Sequence, residues 1–225
     1  MTSEQFSLIE KHMISCMSDS AHDKEHVYRV LYNALNIAEA ENNVDYDVLI
    51  AACLLHDIAR KEQFENPHIC HAMYGGEKAC SFLISNGFDA KFSDRVKHCI
   101  QTHRFRKNNQ PQTVEAKILF DADKLDVCGA VGIARTLVYK GAVSDPLYNL
   151  SVDGTVSDGS ADISPSFFQE YKFKLENMYS RFYTAKGAEL AKTRQQAAID
   201  FYDNLYKEVN DTYKNGSDIL KGIIE

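Results

Sequence analysis

Several features are missing from this sequence, and each absence removes a class of protein. No apolar run reaches about 18 residues, the length a bilayer-spanning helix needs, and no basic segment followed by an apolar one opens the chain. The expectation is a cytoplasmic, reduced protein with no membrane partner. Six cysteines, at 16, 53, 70, 80, 99 and 128, include no C-x-x-C pair, so the common structural zinc pattern is absent. Cys53, Cys80, Cys99 and Cys128 fall inside apolar or helical patterns and read as small core residues. Positive charge is in deficit: 25 Lys and Arg stand against 32 Asp and Glu, a formal net charge of −7. A nucleic-acid polymer is not an expected partner, because binding one needs a broad basic face. A small anionic substrate remains compatible, since a few cations inside one pocket suffice. Strand-like alternation persists nowhere and no internal repeat is present, so the expected fold is all-α.

What is present begins with residues 47 to 60. Eight apolar residues, Val48 to Leu55, run without a break into His56-Asp57. A helix that is apolar all round is buried, and a buried charge persists only when paired or bound to metal. An imidazole and a carboxylate at the end of such a helix therefore need a partner. A divalent cation suits both; an Arg or Lys for Asp57 and a backbone carbonyl for His56 would also serve.

The remaining segments read as helices. Phe6, Ile9, Met13 and Met17 are spaced for an amphipathic helix over 3 to 18. Asp23 is placed to cap the next helix, with His26 in its first turn and Val27, Val30, Leu31, Ala34, Leu35 and Ala38 as its apolar stripe. The core helix spans 46 to 59. Polar residues 61 to 70, with Pro67, read as a loop placed to cover a site. A helix from 71 to 85 carries Gly75-Gly76, which points to close packing or a boundary, and Asn86-Gly87 ends it. Further helices cover Phe92 to Ile100 and Val114 onward, and Arg104 opens a basic loop. Gly129 to Val138 continues as a short helix. Residues 141 to 162 read as a long loop. Two long helices are expected to follow. Phe168, Tyr171, Leu175, Met178 and Phe182 mark the first; Leu190, Ala197, Phe201, Leu205 and Val209 mark the second, over 186 to 213. These stripes fit a core or a homodimer face. The expected organisation is one domain over 1–225, with the chemistry in about 20–140 and helices in 163–213 packed on it.

The run Asp121-Ala-Asp-Lys-Leu-Asp126 is the second anchor. Each helical residue turns about 100°, so Asp121 and Asp123 cannot face one ion together. Asp123 and Asp126 share a face. Asp121 falls beside Lys117, where a solvated pairing is expected. Asp123 is thus the inward carboxylate, with Asp126 near it.

His26, His56-Asp57 and Asp123 in Ala-Asp-Lys-Leu resemble the H…HD…D order of the HD superfamily of metal-dependent phosphohydrolases. The gap of 30 residues from His26 to His56 fits that order. Cys53-Leu-Leu-His-Asp-Ile-Ala-Arg60, Ile100-Gln-Thr-His-Arg-Phe105 and the stretch from Asp121 to Arg135 resemble one bacterial branch, similar to nucleotide pyrophosphohydrolases. The resemblance implies an HD-domain helical bundle with additional C-terminal helices. It implies that His26, His56, Asp57 and Asp123 hold one divalent ion, among Mn, Fe, Co, Ni, Zn and Mg. It implies that a metal-activated water attacks phosphorus in a nucleotide or other small phosphate ester. Candidate cations for the phosphate are Lys61, Arg104 and Lys124, with Arg29 and Arg60 ranked behind them. Related hydrolases often carry a Glu after the HD dipeptide, where this chain has Arg60 and Lys61; Asp57 or Asp126 is left to orient the water. His71 and His103 are placed to bind substrate phosphate or a second metal. With two irons they would support the alternative, an oxygenase; a regulatory binding module is the third reading. His98 is expected to face elsewhere, and His12, His22 and His68 to lie on the surface.

Overall fold

The computed structural model describes residues 1–17, 24–104 and 109–224. The expected cap Asp23, the surface residue His22 and positions 105–108 of the basic loop lie outside these residues. The helices are α1 (Ser3–Cys16), α2 (Lys24–Ala38), α3 (Tyr46–Leu55), α4 (Arg60–Glu65), α5 (His71–Ser85), α6 (Ala90–Thr102), α7 (Val114–Leu125), α8 (Gly129–Ala142), the single turn α9 (Phe167–Glu170) and α10 (Ala185–Ile224). Among the described residues there is no strand, only an isolated bridge between Leu150 and Val156. The fold is all-α. No described helix is long and apolar enough to cross a membrane.

The chain divides into two compact units. One comprises Met1–Asp126 with Phe182–Ala188, the other Val127–Arg181 with Glu189–Glu225. The first is built around α3, which touches α1, α2, α5, α6 and α7. Val48, Leu49 and Ala51 to Leu55 are all buried, as an all-apolar helix requires. Its start is fixed by Asp45, whose carboxylate accepts from the amides of Asp47 and Val48. Arg95 of α6 holds the other oxygen of Asp45 at 2.6 Å and reaches Glu115 of α7 at 3.2 Å, joining the middle of α6 to the starts of α3 and α7. The helix closes at Leu55, and residues 56–59 form a turn where the expectation continued it to 59. That turn aims His56 and Asp57 inward.

Of the two readings of the glycine pair, close packing is found: Gly75 faces Ala59 and Gly76 lies against α6. A Cβ on Gly76 would meet Gln101 Cγ at 2.6 Å and the Lys97 carbonyl at 3.2 Å. The Asn86-Gly87 stop is also present, with Gly87 at a φ of +83°. The segment expected as a loop over 61 to 70 differs. Its first half is the short helix α4, held by Lys78, which donates to the Ile58 carbonyl at 3.0 Å and to Glu62 at 2.7 Å.

In the second unit the expected long helix from Phe168 to Phe182 is broken. The turn α9 widens at Tyr171–Leu175 into a π-helical turn, closed by the Glu176 amide on the Tyr171 carbonyl at 2.9 Å. A short 3₁₀ turn, Met178–Ser180, follows. The extra residue per turn re-phases the stripe. Phe168, Tyr171 and Leu175 all reach the core, and Tyr171 stacks on Tyr202 of α10 with centroids 4.0 Å apart. The 141 to 162 loop is organised by its own aspartates: Asp153 accepts from Thr155, Asp158 from Ser160, and Asp162 from Asn149 and Ser157. The second expected helix, 186 to 213, is present and longer, running from Ala185 to Ile224.

Candidate metal centre

Five helices of the first unit bring their ends or first turns to one place. His26 comes from the first turn of α2, His56 and Asp57 from the turn after α3, and Asp123 from the last turn of α7. His71 opens α5 and His103 follows α6. Apart from Asp123, whose side chain is 22% exposed, these groups are buried.

Ring orientation is set behind the site. His56 Nδ1 donates to the Cys53 carbonyl at 2.7 Å, and His103 Nδ1 to the Ile100 carbonyl at 2.5 Å. His26 Nδ1 donates to Asp126 Oδ2 at 2.7 Å. A proton held at Nδ1 leaves the Nε2 lone pair free, and all three Nε2 atoms face inward.

Four atoms then converge. His26 Nε2 lies 3.3 Å from His56 Nε2, 3.5 Å from Asp57 Oδ2 and 3.4 Å from Asp123 Oδ1. His56 Nε2 lies 3.6 Å from Asp57 Oδ2 and 4.0 Å from Asp123 Oδ1. The other oxygen of Asp57 faces a second group: Oδ1 is 3.3 Å from His71 Nε2 and 3.7 Å from His103 Nε2, and these two nitrogens are 3.4 Å apart. Each group of three, His26–His56–Asp123 and Asp57–His71–His103, has ligand atoms within 4.8 Å of one another, a spacing that could hold a metal ion.

The electrostatics suit a cation. Both oxygens of Asp57 are buried without an aligned hydrogen-bond donor, a costly arrangement for a carboxylate unless an ion satisfies it. Burial pushes the Asp57 carboxyl up, but Arg60, His56, His26 and His71 together outweigh burial and hold it well below the usual range. Asp123 is also lowered: burial opposes ionisation, and His56, His26 and His103 favour it. Burial, then His56, lowers His103 to about 4. Burial also lowers His71. Both rings are therefore neutral at pH 7.

The other expected site residues are placed as follows. Asp126, expected to orient a water, turns its oxygens elsewhere: Oδ2 takes the His26 proton and Oδ1 takes Arg29 Nε at 2.7 Å. It holds the His26 ring by the Oδ2 bond. Arg104 Nη1 lies 3.2 Å from His71 Nδ1. The Lys124 ammonium sits over the rings of Phe120, at 4.7 Å, and Phe182, at 5.5 Å, one residue from Asp123. Lys61 is not brought to the centre; its side chain is 61% exposed and lies 3.9 Å from Glu65. His12 is half-buried and stacks on Phe82, where a surface position was expected.

Asp121 requires a larger correction. The expected solvated pairing with Lys117 is replaced by full burial, with bonds from the Tyr183 amide at 2.9 Å and from the Thr184 amide and hydroxyl at 2.7 Å each. It ties residues 183–184 to α7. The partner lies 63 positions away, so helical angles alone could not reveal it. Two further neighbours were ranked low or missed. Arg60 Nε lies 2.9 Å from Asp57 Oδ1, although out of line for a hydrogen bond. Gln63 Oε1 contacts His71 Nδ1. Reading 61 to 70 as a helix would have placed Gln63 one turn from Arg60, and both on the side of Asp57.

Comparison with known proteins follows this geometry. Residues 24–128 match the family model described as HD domain, a span that contains His26, His56, Asp57, His71, His103 and Asp123. Over these residues the chain is similar to HD domains. The protein YpgQ of Bacillus subtilis is 29% identical over 194 residues, covering 84% of this chain and 85% of YpgQ. The crystal structure of YpgQ in complex with ADP superposes with a TM-score of 0.71 at 28% identity, over 91% of this chain and 98% of that one. An HD-superfamily hydrolase from Bacillus thuringiensis gives a TM-score of 0.67 at 26% identity, over 92% of this chain and 97% of that one. The chain is thus similar in fold to HD-superfamily hydrolases and carries His and Asp groups that could hold a metal ion.

Proposed function

We propose that this chain is a metal-dependent phosphohydrolase acting on a nucleotide or related small phosphate ester, with release of pyrophosphate from a nucleoside triphosphate as its specific form. The observation that carries this reading is the convergence of His26 Nε2, His56 Nε2, Asp57 Oδ2 and Asp123 Oδ1 around a carboxylate without an aligned donor. Two imidazoles and two carboxylates form a mixed N/O set, which favours a transition metal over calcium. Bound there, a divalent cation (Mn, Fe, Co, Ni, Zn or Mg) supplies Lewis acidity toward a phosphoryl oxygen and lowers the pKa of a water.

The chain's own residues do the rest. Asp57 and Asp123 stay ionised and carry the negative charge that holds the ion. Asp126 keeps the His26 ring in its ligating tautomer. His71 and His103 would meet the phosphoryl group as donors, each taking a second proton at Nε2 when the anion binds. Arg104 and Lys124 offset charge that develops on the phosphate oxygens. The nucleotide class draws support from the ADP complex of YpgQ.

The test is incubation of purified protein with Mn(II) and a nucleotide panel, with phosphate and pyrophosphate assayed separately. Full turnover by Asp57→Ala would count decisively against the reading. The group Asp57–His71–His103 favours a second reading, a di-iron oxygenase. Two irons per chain with a mixed-valence spectrum would favour that reading over hydrolysis.

A further inference from the structure

The chain leaves the first unit after Asp126 and rejoins it over Phe182–Ala188. Residues 181–184 have no helix of their own before α10 begins at Ala185. They are nevertheless held by a carboxylate that is fully buried. Asp121 accepts from the Tyr183 amide and from the amide and hydroxyl of Thr184. Thr184 Oγ1 in turn accepts from the Gly187 amide at 3.0 Å and caps the start of α10. The approach is close: a Cβ on Gly187 would meet Asp121 Oδ2 at 2.8 Å. A carboxylate is a costly group to bury, and here its bonds all go to fixing this short segment. What the segment presents is aromatic. Tyr183 packs edge-on against Phe120 with centroids 4.9 Å apart, and Phe182 places its ring 5.5 Å from the Lys124 ammonium. Phe120 covers the same ammonium at 4.7 Å.

We propose that Phe182 is a positioning residue for substrate: pinned by Asp121 through Tyr183 and Thr184, its ring holds the Lys124 ammonium at the solvent-facing side of the centre, where an anionic ligand enters. The proposal rests on reading Lys124 as a partner of the phosphate, and it adds the group that places it. The direction of entry follows from burial. Of His26, His56, Asp57 and Asp123, only Asp123 is open to solvent, with its side chain 22% exposed. A ligand therefore reaches the centre past Asp123, and Lys124 is the next residue. A lysine side chain is long and has many rotamers, and its charge is worth little to a ligand unless it is held in place. Two ring faces do this without neutralising it. They attract the ammonium through their quadrupoles and strip part of its water, and no carboxylate is needed to fix it. The charge stays available to an incoming phosphate, while the rotamers that would carry it away are disfavoured. Phe120 lies one helical turn before Lys124 on α7 and supplies one face from the same helix. The second face comes from position 182, and only the Asp121 anchor brings it there.

A double-mutant cycle read by ligand binding tests this. Mn(II)-loaded protein is titrated with ADP in a calorimeter, and Mn(II) affinity is measured separately after chelator treatment. Phe182→Leu removes the ring and keeps an apolar side chain. It is expected to weaken ADP about three- to tenfold, the worth of one cation–π contact, with Mn(II) affinity unchanged. Phe182→Tyr keeps the ring face and is expected to bind ADP as wild type does. Lys124→Met is expected to weaken ADP by itself, and in that background Phe182→Leu should have no further effect, because no ammonium is left to place. Should Phe182→Leu fail to fold, Phe182→Met is the second variant without a ring. Wild-type ADP affinity in the folded ringless variant overturns the proposal. So does a parallel loss of ADP and Mn(II) affinity, which would mean a general loosening, and so does an equal loss with and without Lys124. Wild-type ADP affinity in Lys124→Met removes the role given to that lysine, and this proposal with it. Wild type that fails to bind ADP overturns the proposal whether or not turnover is found. ADP binding with the expected cycle but no hydrolysis of any nucleotide removes the hydrolase reading and leaves this one standing.

Discussion

The two pockets on either side of Asp57 share residue types and differ in what stands behind them. Behind the Oδ2 side, the ring protons of His26 and His56 go to a carboxylate and a backbone carbonyl, acceptors that fix one tautomer. Behind the Oδ1 side, His103 is likewise fixed by a carbonyl and His71 by the Gln63 amide oxygen, but a guanidinium, Arg104, also stands behind His71. An acceptor behind a ring raises its basicity as a ligand, whereas a cation behind it lowers that basicity. Residue identity alone therefore does not distinguish the two groups; the cation behind His71 does.

The largest expected effect breaks both pockets together. Asp57→Asn removes the charge they share, and bound Mn(II) and turnover should fall to background, measured by elemental analysis and product assay. Retained metal would show that the carboxylate is not a ligand. Next is the layer behind the Oδ2 side. Asp126→Asn should lower metal affinity by about 10- to 100-fold, the usual range for a group that orients a ligand, with turnover recovering at high Mn(II). Loss of turnover that metal cannot rescue would instead place Asp126 on the reacting water.

A smaller effect is expected with pH, from the Oδ1 side. In the metal-free protein His103 titrates near 4, against 6.5 for an unperturbed ring. Between those values the unfolded chain binds the extra proton and the folded one does not. Stability is thus fully present above 6.5, declines as pH falls toward 4, and then levels with respect to this group. Chelator-treated His103→Gln should show a shallower decline over that window in denaturant titrations, and an unchanged slope would contradict the neutral buried ring. The smallest effect belongs to a residue outside both pockets. Lys61→Ala should change turnover by less than about twofold, as expected of an exposed charge in a weak surface pair; a large drop in kcat/KM would bring Lys61 back to the phosphate.

The all-α class was legible because it depends on local pattern. Val48 to Leu55 can only be a buried helix, and that fact forces a partner on His56 and Asp57. Gly76 announced a close helix approach for a similar reason. The roles of Asp121 and Asp126 were not legible. One pairs with Thr184, 63 positions on, and the other with His26, 100 positions back. Helical geometry ranks the faces of one helix but says nothing of what the fold presses against them. The break near Tyr171 was hidden because a π-turn preserves the apolar stripe while shifting its phase. Arg60 was undervalued because its importance comes from a distance to Oδ1, not from its residue type.

One carboxylate standing between two pockets has a thermodynamic consequence. Whatever fills one side alters the charge felt on the other, so the two occupancies form a single linked equilibrium. The factor by which the ion tightens phosphate must equal the factor by which phosphate tightens the ion. The coupling factor is common to both ligands, so a chain starved of metal would also hold its substrate more weakly.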